Sequence, residues 1–198
     1  ESPSPTYPIY HAFLLIGLGS LALPQFMVFV LLLWGSMIPF RAMNGKSFLA
    51  SLIGLVTPYW FLFGYAFYFD QMPLFLAPLQ EMIHFYPIDF SYLNSTEIIS
   101  WAVITTMLII SSIHYGQIAY MDKTRTRIYH TFLVYAGGWT TLLSILQPIH
   151  LHTWLHIQLI CMAFLTGHLF TLTRNRFSGI FFIVTFVGFI LLTSYNLW

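Results

Sequence analysis

The sequence is poor in charge. Of its 198 residues only 7% are Asp, Glu, Lys or Arg, and 58% are hydrophobic, whereas an average soluble domain has about 25% charged residues. A soluble domain of this composition would lack the polar surface that keeps it in solution. The composition therefore predicts an integral membrane protein. The net charge of +1 leaves no basic surface for nucleic acid.

Cysteine and the common catalytic motifs are also scarce. Cys161 is the single cysteine, so the sequence shown has no internal disulfide. It contains no Gly-rich phosphate loop, no Gly-x-Ser-x-Gly, no His-Glu-x-x-His and no Cys-x-x-Cys. No acid lies deep within an apolar segment, as one does in many proton- or ion-coupled transporters. Whether the protein is an enzyme stays open on this evidence.

Long apolar runs take the place of those motifs. About 20 apolar residues cross the ~30 Å hydrocarbon core, and backbone groups in lipid must be hydrogen-bonded within their own segment. The predicted fold class is all-α, a polytopic bundle of six or seven transmembrane helices. It forms a single transmembrane domain, 9–198, after a polar linker, 1–8. The predicted spans are about 9–23, 24–40, 47–69, 97–120, 128–146, 153–173 and 178–197.

The start of the chain leaves two questions open. Pro24 divides the first apolar block, because proline breaks helical hydrogen bonding. Two short segments that meet at Pro24-Gln25 and a single kinked helix both fit this pattern. The Ser/Pro-rich beginning, residues 1–8, has no initiator methionine, and we expect further sequence upstream of Glu1.

Basic residues predict the orientation. All seven Lys and Arg residues lie in three connections, 41–46, 121–127 and 174–177, and such clustering marks the cytoplasmic side of a membrane. The connection 70–96 is then external, as is the turn that contains three histidines. Apolar residues at helical spacing in 70–96 predict a short helix in the outer interface. Four acids lie on that external side: Asp70, Glu81, Asp89 and Glu97.

Three histidines, His150, His152 and His156, lie in the turn Gln147–His156. Two histidines at i, i+2 or i, i+4 spacing can bind one zinc or copper ion. The alternative is an ordinary interfacial turn, because no Cys, Asp or Glu within the stretch completes the ligand set.

Three further histidines, His114, His130 and His168, lie one to two turns inside the basic connections. Two histidines on different helices at the same depth can hold a haem iron, and His114 with His168 is the best pair. The competing interpretation is a polar contact between helices or a proton-handling group. Haem and zinc or copper are therefore minority hypotheses for a cofactor.

One resemblance to known proteins rests on residues 47–61, on Asp122-Lys-Thr-Arg-Thr-Arg127 and on Ser194-Tyr-Asn-Leu-Trp198. Through these runs nearly the whole chain resembles an uncharacterised family of polytopic inner-membrane proteins from Gram-negative gut-type bacteria. It implies a multi-pass membrane fold, with further membrane segments upstream, and no particular activity.

A second pattern within residues 12–69 consists of Pro24-Gln25, the basic loop and the break at Thr57-Pro58-Tyr59-Trp60. In this pattern the region is similar to the middle of GT-C-like membrane glycosyltransferases, which use polyprenyl-phosphate sugars. It implies that Gln25 and Trp60 line an external cavity, with Asp70 and Glu81 as candidates for the catalytic acid.

Three functions follow from these observations. The first is a non-catalytic or lipid-handling subunit of a larger membrane assembly, with membrane lipids and other membrane subunits as partners. The second is a glycosyltransferase-like enzyme that acts on a polyprenyl-linked substrate at the external face. The third is a haem or metal carrier.

Overall fold

The structure, a computed structural model, describes residues 6–84, 86, 88–91, 93–172 and 176–197. These residues contain helices and no strand, which confirms the predicted all-α class. Within the described ranges, the α-helices are α1 (Thr6–Ala22), α2 (Phe29–Met37), α3 (Gly45–Tyr68), α4 (Met72–Ile83), α5 (Ser95–Ile118), α6 (Thr124–Leu146), α7 (Leu151–Leu172) and α8 (Arg176–Leu197). Three short 3-10 helices also occur: Pro24–Val28, Ala119–Met121 and Pro148–His150.

Three of the described helical segments are long and apolar enough to cross a membrane: 45–68, 95–121 and 148–171. The helices over 6–22, 24–37 and 179–195 are apolar but shorter. Helix α6 falls in neither group, because hydroxyl, glycine and histidine residues make it more polar. The structure thus supports a membrane protein with three candidate spans, and a total of six or seven stays a prediction.

Contacts divide the chain into two compact units, residues 1–85 and 86–198. In the first unit, α1 and α2 form an antiparallel hairpin. Leu23, with φ −135° and ψ 90°, breaks the helix ahead of Pro24. Phe13 of α1 then packs against Val30 and Met37 of α2. Of the two arrangements open at Pro24, the structure adopts the hairpin, so α1 begins on the same side of this unit as connection 41–46.

Helices α1 and α3 approach each other very closely at two glycines. A Cβ atom at Gly54 would lie 2.5 Å from the Tyr10 carbonyl oxygen, and Gly17 meets the α3 backbone in the same way. Glycine permits this approach because it has no side chain, a common device where membrane helices pack. The Ser20 and Tyr59 hydroxyls, 2.8 Å apart, add a buried hydrogen bond between the same two helices.

The predicted short helix in connection 70–96 is confirmed as α4. Part of the connection, residues 85, 87 and 92, lies outside the described residues, as do residues 1–5 of the predicted linker. The Ser91 backbone N–H donates to Asp89 Oδ1 at 2.9 Å. This hydrogen bond favours the carboxylate and holds the pKa of Asp89 below its usual value.

In the second unit, α5 and α7 run parallel and α6 runs antiparallel to both. An Asn94–Glu97 capping box starts α5, as both side chains bond to backbone N–H groups at the helix end. Helix α6 begins at Thr124, earlier than the predicted 128, so Arg125 and Arg127 belong to its first turns. Charged residues can extend a helix beyond the apolar core, where water solvates them. Arg174 lies outside the described residues.

Candidate metal centre

One end of the second unit brings together two histidines and an acid. Asp122 lies in the connection between α5 and α6, His130 in the second turn of α6 and His168 near the end of α7. Their ligand atoms all lie within 4.8 Å of one another, and each residue is partly buried. Among the described residues this is the one group of three or more such side chains close enough to share an ion.

The free lone pairs in this group are suited to a metal. Nδ1 of His130 lies 2.9 Å from the Thr126 carbonyl oxygen. A carbonyl only accepts, so Nδ1 carries the proton and Nε2 keeps its lone pair in the neutral ring. Metal-binding histidines are commonly oriented by such a bond to a backbone carbonyl.

The contact between Asp122 and His168 is short but poorly directed for a hydrogen bond. His168 Nε2 lies 2.9 Å from Asp122 Oδ2, and the two side chains are 13% and 11% exposed for Asp122 and His168 respectively. Nevertheless, Oδ2 of Asp122 and Nδ1 of His168 are buried without a well-directed hydrogen bond from the described residues. A cation bound beside this pair to both the carboxylate and the ring would satisfy Oδ2, because a metal ion accepts lone pairs from both.

Tyr115 of α5 fixes the two imidazole rings. Its buried ring stacks on His130 with centroids 5.5 Å apart and meets His168 edge-on at 5.6 Å. Its hydroxyl donates to the Arg127 carbonyl oxygen at 2.8 Å and lies 3.2 Å from the Thr131 hydroxyl. These bonds tie α5 to the first turns of α6, so the rings are held in place before any ligand arrives.

The donor set suits a divalent first-row metal. Zn²⁺ binds imidazole nitrogen and carboxylate oxygen at ~2.0–2.2 Å, which separates neighbouring ligand atoms in a tetrahedral site by roughly 3.4 Å. In this group Nε2 of His168 and Oδ2 of Asp122 are 2.9 Å apart, and all the ligand atoms lie within 4.8 Å of one another, so small side-chain rotations would bring them to one ion. Three protein ligands leave a fourth coordination position open for water or another small ligand.

A second polar feature lies at the opposite end of α5 and α7. We call it the outer cleft, a cavity of about 400 Å³ between the first turns of these two helices. His152 and His156 line it, with ring centroids 4.7 Å apart. The cleft is lined by Asn94, Thr96, Glu97, Ser100, Ile104, His152, Leu155, His156 and Leu159.

The predicted three-histidine site is only partly assembled. His152 and His156 share the outer cleft, and Nδ1 of His156 donates to the His152 carbonyl oxygen at 2.6 Å. The His150 ring instead faces Tyr86, with centroids 5.9 Å apart. His152 and His156 lie within α7, where i, i+4 positions share one face, as expected, whereas His150 lies in the 3-10 turn Pro148–His150 that precedes this helix.

For the haem pair, the structure pairs His168 with His130 rather than with His114. The rings of His130 and His168 have centroids 4.3 Å apart. His114 is partly buried on α5, its Nδ1 has no hydrogen-bond partner among the described residues, and it is not part of the Asp122 group. Rings this close leave no room for a haem between them, and haem binding at His114 and His168 stays a prediction.

The candidates for a glycosyltransferase cavity all lie in the first unit and differ in exposure. Gln25 is 7% exposed within the 3-10 turn, whereas Trp60 is 69% exposed on α3. Asp70 is exposed just after α3 with a positive φ of 57°, and Glu81 is partly buried on α4. Trp60 lines a shallow apolar cavity with its α3 neighbours, and Gln25, Asp70 and Glu81 do not contribute to it. The catalytic role of Asp70 or Glu81 stays a prediction.

Asp122 is the ligand that sequence reasoning did not single out. Its signal was nevertheless present, because Asp122 is the single acid within the three basic connections. An acid that interrupts a basic connection close to two histidines in the adjoining helices is a candidate partner for them.

Comparisons with family models, with curated proteins and with solved structures found no match to this chain. The candidate centre is therefore interpreted from its own geometry.

Proposed function

We propose that this chain is a multi-pass protein of the bacterial inner membrane that carries a divalent first-row metal ion. The observation that supports the proposal is the convergence of Asp122, His130 and His168 at one end of the second unit. Two imidazoles and one carboxylate are a donor set that zinc and iron(II) share. Of the functions that the sequence suggested, the metal carrier is the one that this geometry favours.

The position of the centre supports a cytoplasmic delivery end. Asp122 lies within the basic connection 121–127, and basic connections are retained on the cytoplasmic side. The outer cleft, at the other ends of α5 and α7, then faces the external side. With 41–46 and 174–177 also cytoplasmic, seven crossings follow if the shorter apolar helices and α6 span the membrane as well.

Metal titration of the purified full chain in detergent tests the proposal. We expect one Co²⁺ or Zn²⁺ per chain, with the visible absorption that Co²⁺ shows in a low-symmetry nitrogen and oxygen site. Replacing a ligand, as in Asp122→Asn, His130→Ala or His168→Ala, should weaken binding by at least about 100-fold, since changes in the surrounding residues alone cost 10–100-fold.

His11→Ala is the matched control for His130→Ala. Nδ1 of His11 also donates to the carbonyl oxygen four residues earlier, that of Tyr7, at 2.9 Å. His11 lies in the first unit and belongs to no ligand group among the described residues. Equal loss of metal in His11→Ala and His130→Ala, or no stoichiometric binding in the wild type, would contradict the metal-carrier proposal.

A second candidate, a subunit of a larger membrane assembly, is favoured by α8. Large apolar side chains along this helix are exposed in the second unit: Ile180, Phe182, Ile183, Val184, Phe186, Val187, Ile190 and Leu191. Lipid or another membrane subunit would cover them. Extraction in mild detergent followed by mass measurement separates the two, because a subunit should co-purify with partners at fixed stoichiometry and a carrier need not.

A further inference from the structure

We propose that α5, α6 and α7 enclose a gated path along which the metal ion moves between the outer cleft and the metal centre. The side chain of Leu108 closes this path against Gly137. This inference rests on the proposed function, because it assumes that the ion bound by Asp122, His130 and His168 is the one that travels.

The outer section of the path is polar and reaches well inside the bundle. Below the outer cleft, Gln158 of α7 is fully buried. Its amide nitrogen donates to the hydroxyl oxygens of Thr105 on α5, at 2.9 Å, and Thr141 on α6, at 2.8 Å. Its carbonyl oxygen, Oε1, is buried without a partner among the described residues. A water molecule or a hydrated cation would supply that partner.

The middle of the path is apolar and tightly closed. Leu108 is 3% exposed and lies one turn beyond Thr105 on α5. A Cβ atom at Gly137 would lie 2.8 and 2.9 Å from the two terminal methyl carbons of Leu108. The leucine therefore fills the space that a side chain at 137 would occupy. An apolar constriction of this kind blocks ions because they cannot shed their water there.

The inner section becomes polar again beyond the constriction. Ser111 lies three residues further along α5 and is 1% exposed, and its hydroxyl has no hydrogen-bond partner among the described residues. One turn later comes Tyr115, whose ring contacts His130 and His168. Polar groups with unused hydrogen-bonding capacity thus lie on each side of Leu108, whereas an ordinary packed core has few of them.

The register of the three helices makes this order consistent. Along α5, Thr105 bonds to Gln158, Leu108 forms the constriction, and Tyr115 contacts the histidine rings. We call the bond between Thr105 and Gln158 the outer contact. On the antiparallel α6 the matching positions run backwards, with Thr141 beside the outer contact and Gly137 beside the constriction. Helices α5 and α6 therefore place their outer contact and their constriction at matching heights in the bundle. Rotation of the Leu108 side chain away from Gly137 would join the two polar sections.

Zinc flux into liposomes that contain the full chain and an enclosed zinc-sensitive dye tests the gate. We expect slow flux in the wild type and flux at least severalfold faster in Leu108→Ala. The matched control is Leu142→Ala, which removes the same atoms from a side chain on α6 that is 44% exposed. Flux in Leu108→Ala no faster than in Leu142→Ala would overturn the inference.

The travelling ion should depend on the metal centre. In the double variant Leu108→Ala, His168→Ala, flux should fall back towards the wild-type rate, whereas an unspecific leak would persist and refute the path. Zinc binding to the wild type and to Leu108→Ala in detergent is measured in parallel. Normal binding to both without faster flux in Leu108→Ala removes the path and leaves the metal carrier intact, whereas absence of binding to the wild type removes the proposed function itself.

Cys161 provides a readout that does not require flux. It is the single cysteine, it is 3% exposed, and it lies on α7 about one turn beyond Gln158, close to the level of the constriction. A small water-soluble thiol reagent should label it slowly in the wild type and severalfold faster in Leu108→Ala, with Leu142→Ala unchanged. Equal labelling in all three proteins would show that Leu108 does not close an aqueous path.

Discussion

The imidazole rings of His130 and His168 lie with their centroids 4.3 Å apart, although they belong to different helices. Tyr115 from a third helix contacts both rings. The pairing of the two rings therefore depends on the packing of α5, α6 and α7 together, and the contribution of each helix can be tested.

Tyr115→Phe should weaken metal binding without removing a ligand. The change deletes the hydrogen bond to the Arg127 carbonyl oxygen, which contributes about 1 kcal/mol of stability. Looser histidine rings should lower metal affinity by about tenfold. Thermal unfolding and Co²⁺ titration measure the two effects. Tyr135→Phe, at a side chain 62% exposed on α6, should change neither, and equal effects in both variants would argue against a positioning role for Tyr115.

Gly54→Ala should destabilise the first unit. The added methyl group would lie 2.5 Å from the Tyr10 carbonyl oxygen, so α1 and α3 must separate, at a cost of about 1–3 kcal/mol. The loss of stability is measured by the protease resistance of residues 6–84 in detergent. Gly64→Ala on the same helix meets nothing within 4 Å and should be neutral or slightly stabilising, because alanine favours helix. A neutral Gly54→Ala would mean that the two helices do not pack this closely.

Gln158→Met should loosen the second unit. Methionine has a similar length but cannot donate to Thr105 and Thr141, and hydrogen bonds between membrane helices contribute about 0.6–1.7 kcal/mol each. Thermal unfolding followed by a thiol-reactive dye at buried Cys161 reports this unit directly. The control is Gln117→Met, at an exposed position of α5. If Gln158→Met is as stable as this control, the bonds of Gln158 contribute little.

Asn94→Ala should fray the start of α5. Loss of the cap costs about 1 kcal/mol, and the outer cleft shares this helix end. Hydrogen exchange of the first turn should accelerate, while exchange near Tyr115 stays unchanged. Glu97→Gln keeps a side chain that can complete a capping box and should exchange more slowly than Asn94→Ala. The reverse order would contradict the capping box.

Much of the fold could be predicted from apolar run length and proline placement. Helices α3, α5 and α7 begin and end within a few residues of the predicted spans, because each needs a continuous apolar stretch bounded by polar residues. The hairpin at Pro24 could not be chosen in advance. Proline stops a helix in either arrangement, and only the packing of Phe13 on Val30 and Met37 selects the hairpin.

The candidate site was predicted only in outline. Depth along the chain placed His114, His130 and His168 in one layer, but depth does not say which side of a helix a residue occupies. The rotation of α5 about its axis directs the side chain of Tyr115 into the bundle, where it is 5% exposed. His114 is the preceding residue, so its side chain points about 100° away. Asp122 and His130 then complete the group with His168.

By itself, then, the sequence determined the apolar composition typical of a membrane protein and the helical class, and it predicts the side on which the basic connections lie. These properties depend on composition and on the order of apolar and charged residues along the chain. Because charged residues are few, their positions separate the apolar segments clearly. The tertiary structure decided which polar groups meet: Asp122 with two histidines, Gln158 with two threonines and Leu108 with Gly137. Those meetings depend on helix rotation and register, which arise from contacts between segments and are encoded in no single one of them.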